Sequence, residues 1–451
     1  MLNLARPLAR GVRAASRRVG RTGGTTAPGR LLLRLSPAAL GEMAAQLEAG
    51  SVLVSATNGK TTTAAMIAAC LEADGRSVVG NRAGSNMAWG VATALLDAGR
   101  EPGQLGLFEV DEAWLPTVAQ AVGPRLLVLS NLFRDQLDRY GELETLADGW
   151  AELAGRLDGR AKLVLNADDP LVADLGRGRS DVTYFGLDDD SQALPGMQHA
   201  ADSKHCRNCG HAYAYEAVYL GHLGRYRCPH CGRARPPLQV AANSVVLDGM
   251  RGSRVTLRSE QGELKLTLPL PGLYNVYNAV AAAATALELG VPLATVAQAL
   301  EGFSGAFGRV ETIPIEGRQV SILLIKNPAG ANEVLRTLTL EEGRHDLWLA
   351  LNDRIADGRD ISWIWDADFE VLAGHVRRVT CTGTRAEEMA LRLKYAGIGA
   401  ELVVERDLPR SLDAAVSGAD NGTLYALPTY TALLELRDLL SGRGLAKRWS
   451  A

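Results

Sequence analysis

The chain has 451 residues, 47% of them hydrophobic, with 51 acidic against 48 basic side chains and a formal net charge of −3. That length and apolar content support about two or three domains with substantial cores, and the near-neutral charge excludes a global pull toward nucleic acid or anionic lipid. No apolar run is long enough to span a bilayer, and four of the six cysteines fall in two CxxC pairs, which report metal in a reducing compartment rather than disulfides.

The first 41 residues contain no Asp or Glu but carry Arg6, Arg10, Arg13, Arg17, Arg18 and Arg21. This resembles a transit peptide, yet Leu2, Leu4, Ala5, Leu8, Val12 and Ala15 recur at helical spacing and no apolar core with a cleavage site follows. A retained basic amphipathic helix is expected, either lying near the inner face of a membrane or docked on its own domain. The expected setting is the cytoplasm.

The stretch Val52-Leu-Val-Ser-Ala-Thr57-Asn58-Gly59-Lys60-Thr61-Thr62 then reads as a strand, a small-residue turn and the start of a helix that continues to Leu71. That is the geometry of a phosphate-binding loop. Its amides and helix N-terminus face the anion, Lys60 reaches the outer phosphates, and the Thr61 hydroxyl ligates Mg²⁺. The general Walker pattern is only partly met, because Val54 stands at its first glycine. As a loop residue, Lys60 is expected to face solvent and to add little core burial.

Several apolar strands follow. One ends in Asn81, Gly84 and Asn86; another, Leu105-Gly-Leu-Phe-Glu109, brings acids to its carboxyl end. Glu109 is the first choice as a Mg²⁺ ligand there, whereas Asp111 and Glu112 read as ordinary acids at a helix start. Arg125 to Asn131 and Lys162 to Asp169 repeat the theme. Such strands, separated by helical patterns, predict a doubly wound, mostly parallel α/β sheet with its ligand across the strand ends.

The pattern breaks at Cys206-Arg-Asn-Cys209, which is followed after eighteen residues by Cys228-Pro-His-Cys231. The spacing is that of a zinc ribbon, with four thiolates closing a structural site over a small hairpin. His205, His211, His222 and His230 crowd the segment and are expected at the surface or behind the ligands. Beyond Gly272 to Asn278 and a linker carrying Arg309, a second α/β unit begins, with strands near 320–325, 346–351, 378–382, 402–405 and 423–428. The expected division is 1–50, a basic helical segment; 51–308, an ATP-binding domain with the insert at about 198–240; and 309–451, a Rossmann-like C-terminal domain.

Ala56 to Thr62, Glu109, Asn131 with Asp135 to Tyr140, Asn166 to Asp169, Gly272 to Asn278 and Gly308 to Glu311 together resemble the Mur ligases and folylpolyglutamate synthetases. The cysteine insert, Lys326 to Asn332 and Asn352 to Asp366 resemble the MurT branch of that family, ligase subunits that work with a GatD-type glutamine amidotransferase.

The resemblance implies an ATP-binding set of Thr57, Asn58, Gly59, Lys60, Thr61, Thr62, Asn278 on the adenine side and Arg309 from the linker. It also implies Mg²⁺ on Thr61 and Glu109. The implied chemistry is activation of the α-carboxyl of D-glutamate in the lipid II stem peptide as an acyl phosphate, then amidation by ammonia. Three departures stand out: Ala56 replaces the usual glycine, Gln136 a frequent histidine, and no lysine between Tyr140 and Arg160 can carry the carbamate that holds a second Mg²⁺ in many relatives. The phosphate loop begins near residue 55, which leaves no room before it for a UDP-binding domain and suits a lipid-linked substrate.

No cysteine outside the insert has a nucleophile-elbow setting, so the chain alone is not expected to hydrolyse glutamine. What it can lend a glutaminase is an orienting carboxylate. Asp360 is the first choice as that catalytic acid, with Asp357 and Asp353 next. Two rival readings stay open. Against another amino-acid ligase of the same class, such as a folylpolyglutamate synthetase, stand the cysteine insert and the short stretch before the phosphate loop; a P-loop ATPase with a nucleic-acid-binding ribbon would show ATP turnover stimulated by DNA or RNA. No nucleic-acid partner is expected on the first reading.

Overall fold

A computed structural model of the chain describes residues 2–19, 26–81, 85–96, 98, 101–135, 143–157, 159, 161–199, 201–304, 310–418 and 422–446. Two sheets organise it. The first contains β1 (Ser51–Ser55), β2 (Val78–Gly80), β3 (Leu105–Glu109), β4 (Leu126–Leu129), β5 (Lys162–Asn166) and β6 (Val182–Leu187). β7 (Ala214–Leu220) and β8 (Leu223–Arg227) form a separate hairpin, after which β9 (Val240–Leu247), β10 (Ser253–Ser259) and β11 (Gly262–Leu268) rejoin the first sheet. Its order is β11-β10-β9-β6-β5-β4-β1-β3-β2.

From β2 to β9 all neighbours are parallel, as the buried, nearly continuous apolar runs require. The edge is different: β9, β10 and β11 pair antiparallel, so the sheet is mixed. One core lies on each face. Helices Lys60–Ala73 and Leu273–Glu288 pack with Leu266 and Val276 on one side; Leu53, Phe108, Leu127 and Trp150 fill the other.

The second sheet has the order β12-β13-β17-β14-β15-β16, with β12 (Val310–Ile315), β13 (Arg318–Leu323), β14 (His345–Ala350), β15 (Val376–Thr382), β16 (Glu401–Val404) and β17 (Leu424–Pro428). Every pair but β12–β13 is parallel. β12 takes in Val310 and Glu311, the last two residues of the 303–311 segment read as linker, and the turn at Glu316-Gly317, both with positive φ, folds it back on β13.

The basic segment is a helix, Leu2–Val19. It docks on its own domain: Ala5 and Ala9 are buried, Arg10 donates to the carbonyl of Leu96, and Arg13 donates to that of Thr93. Leu4 and Leu8 point outward, at 78% and 59% exposure. Among the described residues no helix is long and apolar enough to cross a membrane.

Candidate functional site

β1 ends at Ser55, and the turn that follows is held from β4's side. The Thr57 amide donates to the Asn131 carbonyl, and the Asn58 amide donates to Asn131 Oδ1 at 2.9 Å. The Thr57 hydroxyl accepts from the Phe133 amide at 3.1 Å. Gly59 takes φ 87°, the left-handed conformation that glycine adopts without steric cost. It also leaves space, because a Cβ there would stand 2.0 Å from Asn278 Oδ1. Asn278 is thus placed against the loop, and its Oδ1 accepts from the Thr63 hydroxyl at 3.2 Å.

Lys60 corrects the expectation of a solvent-facing side chain. It opens the helix Lys60–Ala73 but is 8% exposed, with Nζ 2.9 Å from Glu112 and 3.0 Å from the Ala56 carbonyl. Burial pushes its pKa down, yet Glu112, Glu109 and Asp111 outweigh that and hold it above the usual lysine value. Burial pushes Glu112 up, but Lys60 and Lys326 bring it below the usual carboxylate range. The pair is therefore ionised. Glu112 is not the ordinary helix-start acid that the sequence suggested: the next helix begins only at Leu115, and the Trp150 indole, donating to the Glu112 carbonyl at 3.0 Å, anchors the turn. The segment places acids at two of the three positions after Val110, and only the packing selects which one meets Lys60.

Glu109 ends β3 in register with Val54 of β1. Its amide donates to Asn81 Oδ1 at 2.9 Å, and Asn81 Nδ2 returns a bond to its carbonyl at 2.7 Å, so the side chain leaves a fixed backbone. Thr61 lies one residue into the same helix as Lys60, and Thr62 lines the adjoining cleft. These hydroxyl and carboxylate oxygens are the donors a hard divalent cation takes.

The C-terminal unit closes one side of this loop. Asn58 and Asn327 exchange amide hydrogen bonds at 3.3 and 3.0 Å. Lys326 Nζ donates to the Thr57 carbonyl at 3.1 Å and pairs with Asp135. Sequence reading used Lys326 to Asn332 only to narrow the family; its position at the loop was not legible, since the contact spans 269 residues of chain. Arg309, Gln136 and Tyr140 lie outside the described residues.

The four insert cysteines converge. Cys206 and Cys231 sulfurs are 3.5 Å apart, Cys209 and Cys228 sulfurs are 3.4 Å apart, and all four lie within 4.8 Å of one another. Tetrahedral zinc with bonds of ~2.3 Å needs sulfurs roughly 3.8 Å apart, so the set fits the ion. Gly210 and Gly232 follow the two knuckles with φ of 76° and 74°. His211 and His230 stack at the surface with ring centroids 3.9 Å apart, as expected of surface groups.

His222 overturns that expectation. Fully buried at the β7–β8 tip, it packs on Phe133 with ring centroids 4.6 Å apart and sets Nε2 3.3 Å from Asp169. The reason is that the hairpin folds back onto the first sheet, where Leu220 and Leu223 also reach the cleft beside Gly59.

The three acids of the 353–360 loop differ. Asp353 is engaged by Thr384 and, at 2.7 Å, by Arg385. Asp357 is buried and accepts from the Thr431 amide and hydroxyl. Asp360 is exposed and accepts only locally, from the Ser362 amide at 2.8 Å and the Ser362 hydroxyl, which hold it below its usual range. It does not line the cleft beside the phosphate loop.

Residues 54–226 match the Mur ligase middle domain and residues 324–433 the MurT ligase C-terminal domain. The chain is 34% identical over 435 residues to the MurT subunit of lipid II isoglutaminyl synthase (glutamine-hydrolyzing) of Staphylococcus aureus strain N315, covering 96% of each chain. It is 33% identical to that of Streptococcus pneumoniae strain R6, covering 96% of this chain and 95% of that one. A pseudomurein peptide ligase type C from Methanothermus fervidus shares the fold, with a TM-score of 0.69 at 23% identity over 88% of this chain and 79% of that one. With its phosphate loop, its apposed C-terminal unit and 96% of its length matched by these MurT subunits, the chain belongs to the MurT family of Mur ligases.

Proposed function

We propose that this chain is the ligase subunit of a glutamine-hydrolysing lipid II isoglutaminyl synthase. The observation that carries the reading is the enclosed ion pair Lys60–Glu112 at a phosphate loop, with Lys326 of the C-terminal unit on the loop's other side. Thr57, Asn58, Gly59, Lys60, Thr61 and Thr62 cradle the phosphates of ATP, Asn278 stands on the adenine side and Arg309 reaches from the linker. Lys60 exchanges Glu112 for the β- and γ-phosphates and so keeps an anionic partner, while the charge of Lys326 continues to act on Glu112. Mg²⁺, held by Thr61 and Glu109, would neutralise phosphate charge.

An oxygen of the substrate's D-glutamate α-carboxylate attacks the γ-phosphorus, and the bond to the β-phosphate oxygen breaks, releasing ADP. Ammonia then attacks the acyl carbon; phosphate leaves with the C–O bond's electrons and the nitrogen loses a proton, giving the amide. Lys60 and Lys326 are placed to stabilise the negative charge in both steps. The division into 1–50, 51–308 and 309–451 belongs to this reading and is supported by the two separate sheets. So does a structural zinc on Cys206, Cys209, Cys228 and Cys231.

Ammonia comes from a GatD-type partner, to which Asp360 contributes the acid of its triad. Two features support that choice: Asp357 and Asp353 are already held within the chain, and apolar Ile355 and Trp365, exposed by 74% and 49%, flank Asp360. The outward Leu4 and Leu8 suit a peripheral position at the membrane that carries the lipid substrate. Mass spectrometry of lipid II incubated with the chain, ATP and ammonium tests the reading: carboxyl-to-amide conversion lowers the mass by about one dalton per site, and unchanged lipid II with active protein would refute it.

A further inference from the structure

One wall of the cleft beside the phosphate loop carries a group that the ligase chemistry leaves unused. Helix Pro328–Thr339 of the C-terminal unit brings Glu333 into the lining, where it is 1% exposed. Neither carboxylate oxygen accepts a hydrogen bond of good geometry; the Tyr274 amide, and Arg336 on the same helix 3.9 Å away, only partly offset its burial. A buried carboxylate so placed costs free energy unless something donates to it.

The rest of the cleft suggests the donor. Asn58, Gly59 and Thr62 form its phosphate-loop side, and Phe133, Tyr274 and Val334 give it apolar and aromatic walls. A nucleotide whose phosphates lie on the loop has its base as the flat, largely apolar remainder, the kind of group such walls take up with a few polar contacts for orientation. Asn278, expected on the adenine side, already uses Oδ1 to accept from Thr63 and Nδ2 to donate to Asn275 at 3.1 Å. Among the described residues lining the cleft, Glu333 has buried side-chain oxygens that accept no hydrogen bond of good geometry. Resting on the ATP-dependent reading above, we propose that Glu333 sets purine specificity, its carboxylate accepting a hydrogen bond from the exocyclic 6-amino group of adenine.

In its ionised form the same group rejects guanine and hypoxanthine, because their O6 would set a second acceptor against the carboxylate. Since Glu333 belongs to the C-terminal unit and the phosphate loop to the first, base recognition also reports that the two units have closed on one nucleotide. Burial raises the Glu333 pKa to about 7, against the opposing pull of Arg336 and the Tyr274 amide, as suits a carboxylate awaiting a donor.

Direct binding to the full chain, by calorimetry or displacement of a fluorescent nucleotide, tests this without any variant. N6,N6-dimethyl-ATP, which has no N–H at that position, and ITP are each expected to bind about tenfold or more weaker than ATP. In Glu333→Gln, whose amide both donates and accepts, the preference for ATP over ITP should shrink to about threefold or less. Equal affinity of the wild type for ATP and N6,N6-dimethyl-ATP, or an undiminished ATP preference in folded Glu333→Gln, overturns the assignment. Failure of the wild type to bind any nucleotide would instead bring down the ligase reading and this proposal with it, and Lys60→Ala, expected to lose all three nucleotides alike, marks that case.

Discussion

The acids at the phosphate loop and the acids of the 353–360 loop occupy equivalent topological places, following the carboxyl ends of parallel strands in the two sheets, yet they are treated in opposite ways. Glu112 is enclosed and neutralised within the chain by Lys60, whereas Asp360 is left on the surface with only Ser362 to hold it. The difference teaches which chemistry is complete in this chain. A charge buried with its own partner stores a site that a ligand can enter by exchange; an acid kept in water and oriented only by its neighbour's amide is available to a second molecule.

Lys60→Ala breaks the first half of this comparison and should have the largest effect. ATP-dependent amidation is expected to fall by about 10²–10³-fold or more through loss of charge stabilisation at the phosphates. Stability should also fall, by about 3–5 kcal/mol, because Glu112 is left buried and unpaired. Combining it with Glu112→Gln should recover much of the stability in denaturant titrations and none of the activity; recovery of neither would show that the pair is not the source of the loss.

Asp360→Asn breaks the second half. Glutamine-dependent amidation should drop by about 10²–10⁴-fold while amidation from free ammonium, ATP binding and partner binding persist. Loss of the ammonium-driven rate as well would move Asp360 to the ligase site, and survival of both rates would remove it from catalysis.

Cys206→Ser or Cys228→Ser sharpens the comparison by loosening the element that lines the first site through Leu220 and Leu223. Zinc should be lost and residues 198–240 become open to protease, because the metal supplies much of a small ribbon's folding energy. ATP affinity should weaken only severalfold, as Leu220 and Leu223 shift from the cleft, with glutaminase support at Asp360 unchanged. Zinc-free wild-type protein by metal analysis would contradict the site.

The smallest effect is a pH dependence. The Glu333 carboxyl is raised from 4.5 to about 7 in the folded chain, so the folded state binds more protons than the unfolded between those values, and stability falls as pH rises through that window. The total change across that window should amount to about 3 kcal/mol at most, vanish in Glu333→Gln, and diminish when saturating ATP supplies a hydrogen-bond donor. A flat wild-type profile by thermal unfolding would show that Glu333 is not held protonated.

Local chemistry made much of this protein legible in its linear sequence. A strand, a glycine at positive φ and a lysine opening a helix specify a phosphate loop by backbone geometry alone, and CxxC spacing brings four sulfurs together because each knuckle is a short-range turn. Parallel strands also declare themselves by their unbroken apolar runs. The antiparallel edge β9–β11, the burial of Lys60, its choice of Glu112 over Asp111, the inward turn of His222 and the arrival of Lys326, Asn327 and Glu333 beside the loop were decided only by tertiary structure. Each depends on contacts between segments tens to hundreds of residues apart. There the free energy of excluding water from apolar faces sets the approach, and the polar groups carried along must find partners wherever that packing leaves them.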